Sequence, residues 1–515
     1  ATGANVYYEN QNVARVEVNE VVAIGAAKDA SFVNNGDGTY DVTYTISLEN
    51  FSNVTLSNVQ VTEDLASAFV GATSWSLQSV TTSGGLTDNS GFTGTTAGST
   101  NLLASGNTLA RNGTGTITVV VRVTPGSGLG PYGNQVTVSG SSPDGTTTSD
   151  LSDSGTDADP DGDNNPNEAG ENDTTSLTFT EDRGLGIAKT FSTPTSIGGG
   201  VFETTLTFNI QNLSDAINGV ALNNVQVTDN LNLTFPSPAT YTVQSKAVTA
   251  VSSGSSATIN AGFNGNTTQT LLASGTLARQ GTATIEVVVR FDPNGLTGPF
   301  NNQATATGTT PQGTVLTDLS DNGTNPDQDG DGWGNEQTLS APDTGNGGYS
   351  NNTTTDENDA TPITFTETPL LGVAKRVVSV TALTSANRGL FDAIFEVTLE
   401  NMGDVNLNNV QAVDDLSVTF AAPATVVSVS NITSALAENT SFDGSSDKNL
   451  LLATDILIPG QTETIQFTVR FDPNGRNNIT NAVTASATSP AGIPVNDTST
   501  EGTDPDGTDN DNNPD

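Results

Sequence analysis

Three phrases recur in the same order along this chain, and that repetition limits its fold more than any other feature. GAAKDA from Gly25 returns as GIAKTF from Gly186 and GVAKRV from Gly372, which puts Lys28, Lys189 and Lys375 at equivalent places. NVQVTEDL (Asn58), NVQVTDNL (Asn224) and NVQAVDDL (Asn409) follow, and then NLLASGNTLARNGTGTITVVVRV (Asn101), TLLASGTLARQGTATIEVVVRF (Thr270) and NLLLATDILIPGQTETIQFTVRF (Asn449). Domains usually run to roughly 100 to 200 residues, so 515 residues suit three copies of one module.

The third phrase shows what the module is made of. Ile117, Val119, Val121 and Val123 alternate with Thr116, Thr118, Val120 and Arg122. The second copy sets Ile285, Val287, Val289 and Phe291 on one face, and the third Ile465, Phe467, Val469 and Phe471. A period of two is that of a strand with one buried face. Many such runs, separated by Gly, Asn, Asp and Pro, predict an all-β chain of three tandem immunoglobulin-like β-sandwiches. No amphipathic helix of useful length is expected. The predicted segments are an amino-terminal extension at 1–22, sandwiches at 23–149, 175–317 and 361–496, acidic loops at 150–174 and 318–360, and an acidic half-loop at 497–515.

The charge is uneven. With 15 Lys and Arg against 57 Asp and Glu, the net charge of −42 repels nucleic acid and anionic membranes and attracts cations. Of those acids, 26 fall within 150–173, 318–359 and 497–515, stretches that hold no Lys or Arg. Such density repels itself unless cations are bound. In the first stretch Asp157, Asp159, Asp161, Gly162, Asp163, Asn165 and Glu168 follow the spacing D-x-[DN]-x-[DN]-G-x5-E of a twelve-residue calcium loop, and Asn325, Asp327, Asp329, Gly330, Asp331 and Glu336 follow it in the second. Alternate carboxylates bring several oxygens to one hard cation, and the Gly permits the sharp turn. Asp153, Asp173, Asp321 and Asp359 flank the two loops, so more than one Ca2+ per loop is expected. Asp504, Asp506, Asp509, Asp511 and Asp515 form the front half of a third. A solvated acidic linker is the plainer reading of any acidic run, and the repeated spacing argues against it.

Cysteine and histidine are absent, which removes disulfides, thiolates, imidazole ligands and the commonest general base. No nucleophile, base and ion constellation supports an enzyme. There is no long apolar run to span a membrane, and a start at Ala1-Thr2-Gly3 is what removal of a signal peptide leaves, so secretion to the extracellular space or cell surface is expected.

The LLA…L…G and TITVVVRV phrases, with the SDxGTDxDxDGD-type loop, resemble the bacterial conserved-repeat surface domain. The resemblance covers nearly the whole chain. It implies an immunoglobulin-like module, found in tandem on large secreted and cell-wall proteins, and implies no ligand.

After each internal loop comes a short alternating stretch, LTFTE at 177–181 and ITFTE at 363–367. Counting back from the GxAK lysine, VEVNE at 16–20 falls in the same register, Val16 matching Leu177 and Ile363, and Val18 matching Phe179 and Phe365. One reading is head-to-tail polymerisation, in which residues 1 to 22 of one copy, with Val13, Val16 and Val18 as the apolar contacts, add a strand to the last domain of the next while calcium holds the joint. In another, the post-loop strand belongs to the domain after it and the terminal loop is a tail. A third makes the chain a processed piece of a longer surface protein, a calcium-rigidified stalk or adhesin module with a surface carbohydrate or host ligand.

Lys28, Lys189 and Lys375, with Arg122, Arg290 and Arg470, are expected to form ion pairs or to cover apolar surface rather than to build a basic site. The pairs Glu63/Asp64 and Asp414/Asp415 read as turns or a second cation site, since the middle copy has Asp229/Asn230.

Overall fold

Alternation in the sequence becomes alternation in burial. A computed structural model describes residues 19–126, 128–327, 358–507 and 514. In it Tyr40–Asn50 and Phe202–Asn212 bury every second residue. Ile117, Val119, Val121 and Val123, with their counterparts in the other copies, lie in the cores as the repeat predicted. The chain is all-β, and its α-helices among the described residues are the single turns Leu65–Ala68, Leu231–Thr234 and Leu416–Thr419. Asp64, Asn230 and Asp415 cap these turns with their side chains.

The first sandwich sets a five-stranded sheet, in the order Asp153–Ser154, Ile24–Asn34, Tyr40–Asn50, Thr114–Thr124, Ser74–Thr82, against a sheet of Thr108–Leu109, Leu56–Thr62, Thr137–Ser141 and Thr147–Leu151. Both sheets contribute to one apolar core. The second and third copies repeat the arrangement around separate cores, with central strands Phe202–Asn212 and Thr282–Asp292, then Phe391–Asn401 and Thr462–Asp472. In all three a left-handed glycine (Gly94, Gly265, Gly444) closes over the first leucine of the helical turn. A Cβ there would come within 2.6 Å of Leu65 and 2.5 Å of Leu231, so a side chain cannot be accommodated.

One boundary differs from the prediction. The segment after the first acidic loop, assigned above to the second sandwich, turns back into the first: Thr175–Leu177 pairs antiparallel with Tyr132–Asn134. Thr361–Ile363 likewise pairs with Phe300–Asn302 of the second sandwich. The reason is apolar burial, since Leu177 and Phe179 belong to the first core and Ile363 to the second. The three cores fall into two compact units. One runs to Arg183 and takes in Ser214–Ala221 and Thr310–Thr314; the other holds the remainder, with the second and third cores.

Candidate metal centre and docking groove

The first acidic loop begins where Asp153–Ser154 pairs in parallel with the Ile24–Asn34 strand. Gly25 of the GxAK phrase faces the loop so closely that a Cβ would meet Pro166 at 2.9 Å and the Ala158 carbonyl at 3.0 Å. Successive carboxylates fold the loop onto itself: the N–H groups of Asp163 and Asn165 donate to Asp161 and Asp163 at 3.1 and 2.8 Å, and Asn164 N–H donates to Asp159 at 2.8 Å. Two groups of carboxylate oxygens result, each within 4.8 Å: Asp159, Asp161 and Glu171, and Asp161, Asp163 and Glu168.

Asp157, the expected first ligand, belongs to neither group and accepts the Asp159 N–H at 3.2 Å. Asn165 turns its amide N–H onto Glu168 at 3.0 Å. Asp153 accepts the Asp173 N–H at 3.2 Å. Glu171, outside the twelve-residue spacing, enters because the chain turns back toward the sandwich there.

The donor set fits a hard cation. Asp159 and Glu171 are buried, and Asp159 Oδ1 and Glu171 Oε2 have no hydrogen-bond partner. Burial, then the charges of Asp161, Asp159 and Glu168, push the Glu171 carboxyl up against the hold of one backbone N–H. Burial likewise raises Asp150 to about 7, with Glu171 and Asp153 adding to it. Like charges this close resist ionising together, and a divalent cation relieves that.

In the second loop Asp321 is buried on the strand paired with Leu185–Phe191, and Asn325 accepts the Asp327 N–H at 3.3 Å. Asp359 is exposed just before Thr361–Ile363. In the last acidic stretch Asp504 accepts the Asp506 N–H at 3.2 Å, and Asp506 is buried. Asp329, Asp331, Glu336, Asp509, Asp511 and Asp515, and Val13, Val16 and Val18, lie outside the described residues.

The returning strands mark a second site. Phe179 stacks on Tyr40 at 4.3 Å between ring centroids and meets Phe32 and Tyr132 at 5.2 and 5.7 Å. Phe365 repeats this with Phe202 at 4.8 Å, Phe291 at 5.9 Å and Phe300 at 6.1 Å. In the third sandwich the equivalent residues, Phe391, Phe471, Phe420 and Ile479, line a groove of about 800 Å³. Phe391 is only half-buried there, whereas Tyr40 and Phe202 are fully covered. The stretch 473–483, matching the Tyr132–Asn134 and Phe300–Asn302 strands, contains no strand.

Of the two roles expected for the repeated lysines, Lys28 and Lys375 take ion pairing, but inside the cores rather than at the surface. Lys28, Lys189 and Lys375 are buried. Lys28 pairs with Glu63 and Lys375 with Asp414, while Lys189 donates to the side-chain oxygen of Asn302. An asparagine stands beside each acid: Asn134 Nδ2 lies 3.5 Å from Glu63, Asn302 Nδ2 2.9 Å from Asp229, and Asn481 Nδ2 3.1 Å from Asp414. Of the adjacent acids, Glu63 and Asp414 face lysine inside the core while Asp64 and Asp415 cap helical turns, so of the two expected readings the pairs take the turn. Arg122, Arg290 and Arg470 do form exposed ion pairs, with Asp41, Glu203 and Asp392.

No family model matches the chain, and no curated protein matches it. Among solved structures it is similar to BcpA, the major pilin subunit of Bacillus cereus, at 9% identity over 93% of this chain and 95% of that one, with a TM-score of 0.24. It is also similar to the full-length major pilin SpaD of Corynebacterium diphtheriae, at 10% identity over 92% and 90% with a TM-score of 0.20. A third is the CupB6 tip adhesin of Pseudomonas aeruginosa, at 10% identity over 60% and 94% with a TM-score of 0.25. Superpositions this loose carry no argument about function.

Proposed function

We propose that this chain is a structural subunit of an extracellular filament. The third sandwich of one copy accepts the segment carrying Val13, Val16 and Val18 from the next, and Ca2+ in the acidic loops fixes the joint. The observation that carries this reading is the groove of the third sandwich, lined by the counterparts of the rings that hold Phe179 and Phe365 in the first two. Val16 and Val18 stand in the register of Leu177 and Phe179. Burying two valines contributes roughly 1.5–3 kcal/mol each, and strand addition supplies further hydrogen bonds. A contact between different faces of identical copies that does not close a ring extends as an open filament.

Calcium is supported by the two carboxylate groups of the first loop and by the unpartnered oxygens of Asp159 and Glu171. No activity on another molecule is proposed.

The test is negative-stain microscopy in millimolar calcium, with and without chelator, of the native chain and a Val16→Asp/Val18→Asp variant. Filaments from the native chain that disperse on chelation, and none from the variant, are expected. Filaments from the variant equal to those of the native chain refute strand donation. Separate rods from both favour the alternative of a calcium-rigidified stalk or adhesin module.

A further inference from the structure

The trio of lysine, acid and asparagine buried in each sandwich is more than an ion pair needs. In the second, Lys189 Nζ meets Asn302 Oδ1 while Asn302 Nδ2 donates to Asp229 Oδ1 at 2.9 Å and to Thr234 Oγ1 at 2.6 Å. Lys189 and Asn302 are fully buried, and Asp229 is 1% exposed. In the first, Lys28 and Glu63 are fully buried beside Asn134, which is 4% exposed. Glu63 touches both the lysine and, at 3.5 Å, the asparagine amide. One oxygen of each acid, Glu63 Oε1 and Asp229 Oδ2, has no hydrogen-bond partner.

Burial pulls the Lys28 and Lys189 ammonium groups down to about 8, against the opposing pull of Glu63 and Asp229. It pushes both acids up. A lysine that readily gives up its proton is a nucleophile, and an acid that readily holds one is a proton carrier. The amide carbon of asparagine is the electrophile beside them, held where water is excluded.

We propose that the first and second sandwiches each form an internal isopeptide bond, Lys28 to Asn134 and Lys189 to Asn302, without any added enzyme. The neutral Nζ attacks asparagine Cγ, forming the Nζ–Cγ bond. Glu63 or Asp229 takes the proton from Nζ and passes it to Nδ2, the Cγ–Nδ2 bond breaks, and ammonia leaves. Nothing is oxidised or reduced, and no other reactant is consumed. Each bond joins the first long strand of the sandwich to the strand that the returning segment covers, Tyr132–Asn134 or Phe300–Asn302. The third sandwich holds the same trio, but Asn481 sits on the strandless stretch beside the groove, so the proposal is confined to the first two.

The experiment is the intact mass of the purified full chain under denaturing conditions, with fragment sequencing of its proteolytic peptides. Each bond removes one ammonia, about 17 Da, so two bonds lower the mass by about 34 Da. Linked peptides should pair Lys28 with Asn134 and Lys189 with Asn302. Near-isosteric Glu63→Gln and Asp229→Asn should each restore about 17 Da and remove only their own linked peptide. A native chain with its full sequence mass and no linked peptides overturns the proposal. So does a native chain in which other residues are linked. Because the measurement uses unassembled, unfolded chain, its failure leaves the filament reading intact, and failure of the filament leaves this one intact.

Discussion

Replacing Phe179 with alanine tests whether the segment after the acidic loop is part of the first sandwich. The ring is 1% exposed and packs on Tyr40, Phe32 and Tyr132. Truncating a buried phenylalanine to alanine destabilises by about 3–5 kcal/mol, from lost burial and the cavity left behind. Trp75 packs against the same core, its ring 6.4 Å from Phe69, and is one of only two tryptophans. A Trp333→Phe background therefore gives a fluorescence signal specific to the first sandwich. With a urea m-value of about 2 kcal/mol/M, the midpoint should fall by about 1.5–2.5 M. A fall below about 0.5 M, equivalent to about 1 kcal/mol, would refute the reasoning and return the boundary to residue 175.

Glu171→Gln should weaken calcium binding by the first loop in titration calorimetry, because it removes a ligand charge from the group with Asp159 and Asp161. With free calcium 100-fold above its dissociation constant, one bound ion stabilises by about 2.7 kcal/mol, so chelator should lower the melting temperature of the native chain more than that of the variant. Alkali should unfold the first sandwich: burial, then the charge of Glu181, pushes the Tyr40 hydroxyl up to about 12. Its folded pKa is raised above the unfolded value of 10.0, so its contribution is complete below pH 10 and is lost as pH rises through about 12. Tyr40→Phe should shift the base-induced transition seen by Trp75 to higher pH, and an unchanged transition would remove Tyr40 as its cause.

The strands were legible because each long one carries its own period of two, and Ile117, Val119, Val121 and Val123 announce a buried face without reference to any other segment. The returning strand was legible as a strand, but its sandwich was not: strand donation places it with the one before the loop and the predicted boundary with the one after. Three residues pair with a partner more than 40 positions earlier, and such a short run carries no sense of direction. Composition located the acidic loop and its downstream Glu171, but the twelve-residue spacing does not say which carboxylates come together: Asp157 lies outside both groups and Glu171 within one. The buried trio was present in the repeats: Asn134, Asn302 and Asn481 stand before QVT, QAT and AVT at one repeat position, as Lys28, Lys189 and Lys375 do at another. Comparing the copies column by column for polar residues would have found it. Nothing local in the sequence says that these columns meet inside the core.

The way the chain leaves the first sandwich and comes back has a mechanical meaning. The acidic loop starts and ends on the same sandwich, at Asp153–Ser154 and at Thr175–Leu177, so a pull along the chain passes it by while the returning strand stays seated. Once that strand is drawn out, about 20 residues of loop come under tension, and extended at roughly 3.4 Å each they release about 70 Å of length. An ion held between Asp159, Asp161 and Glu171 would have to be stripped away first. In the proposed filament the loop would then be a reserve of extension latched by calcium, and ambient calcium would set the force at which a stretched fibre begins to give.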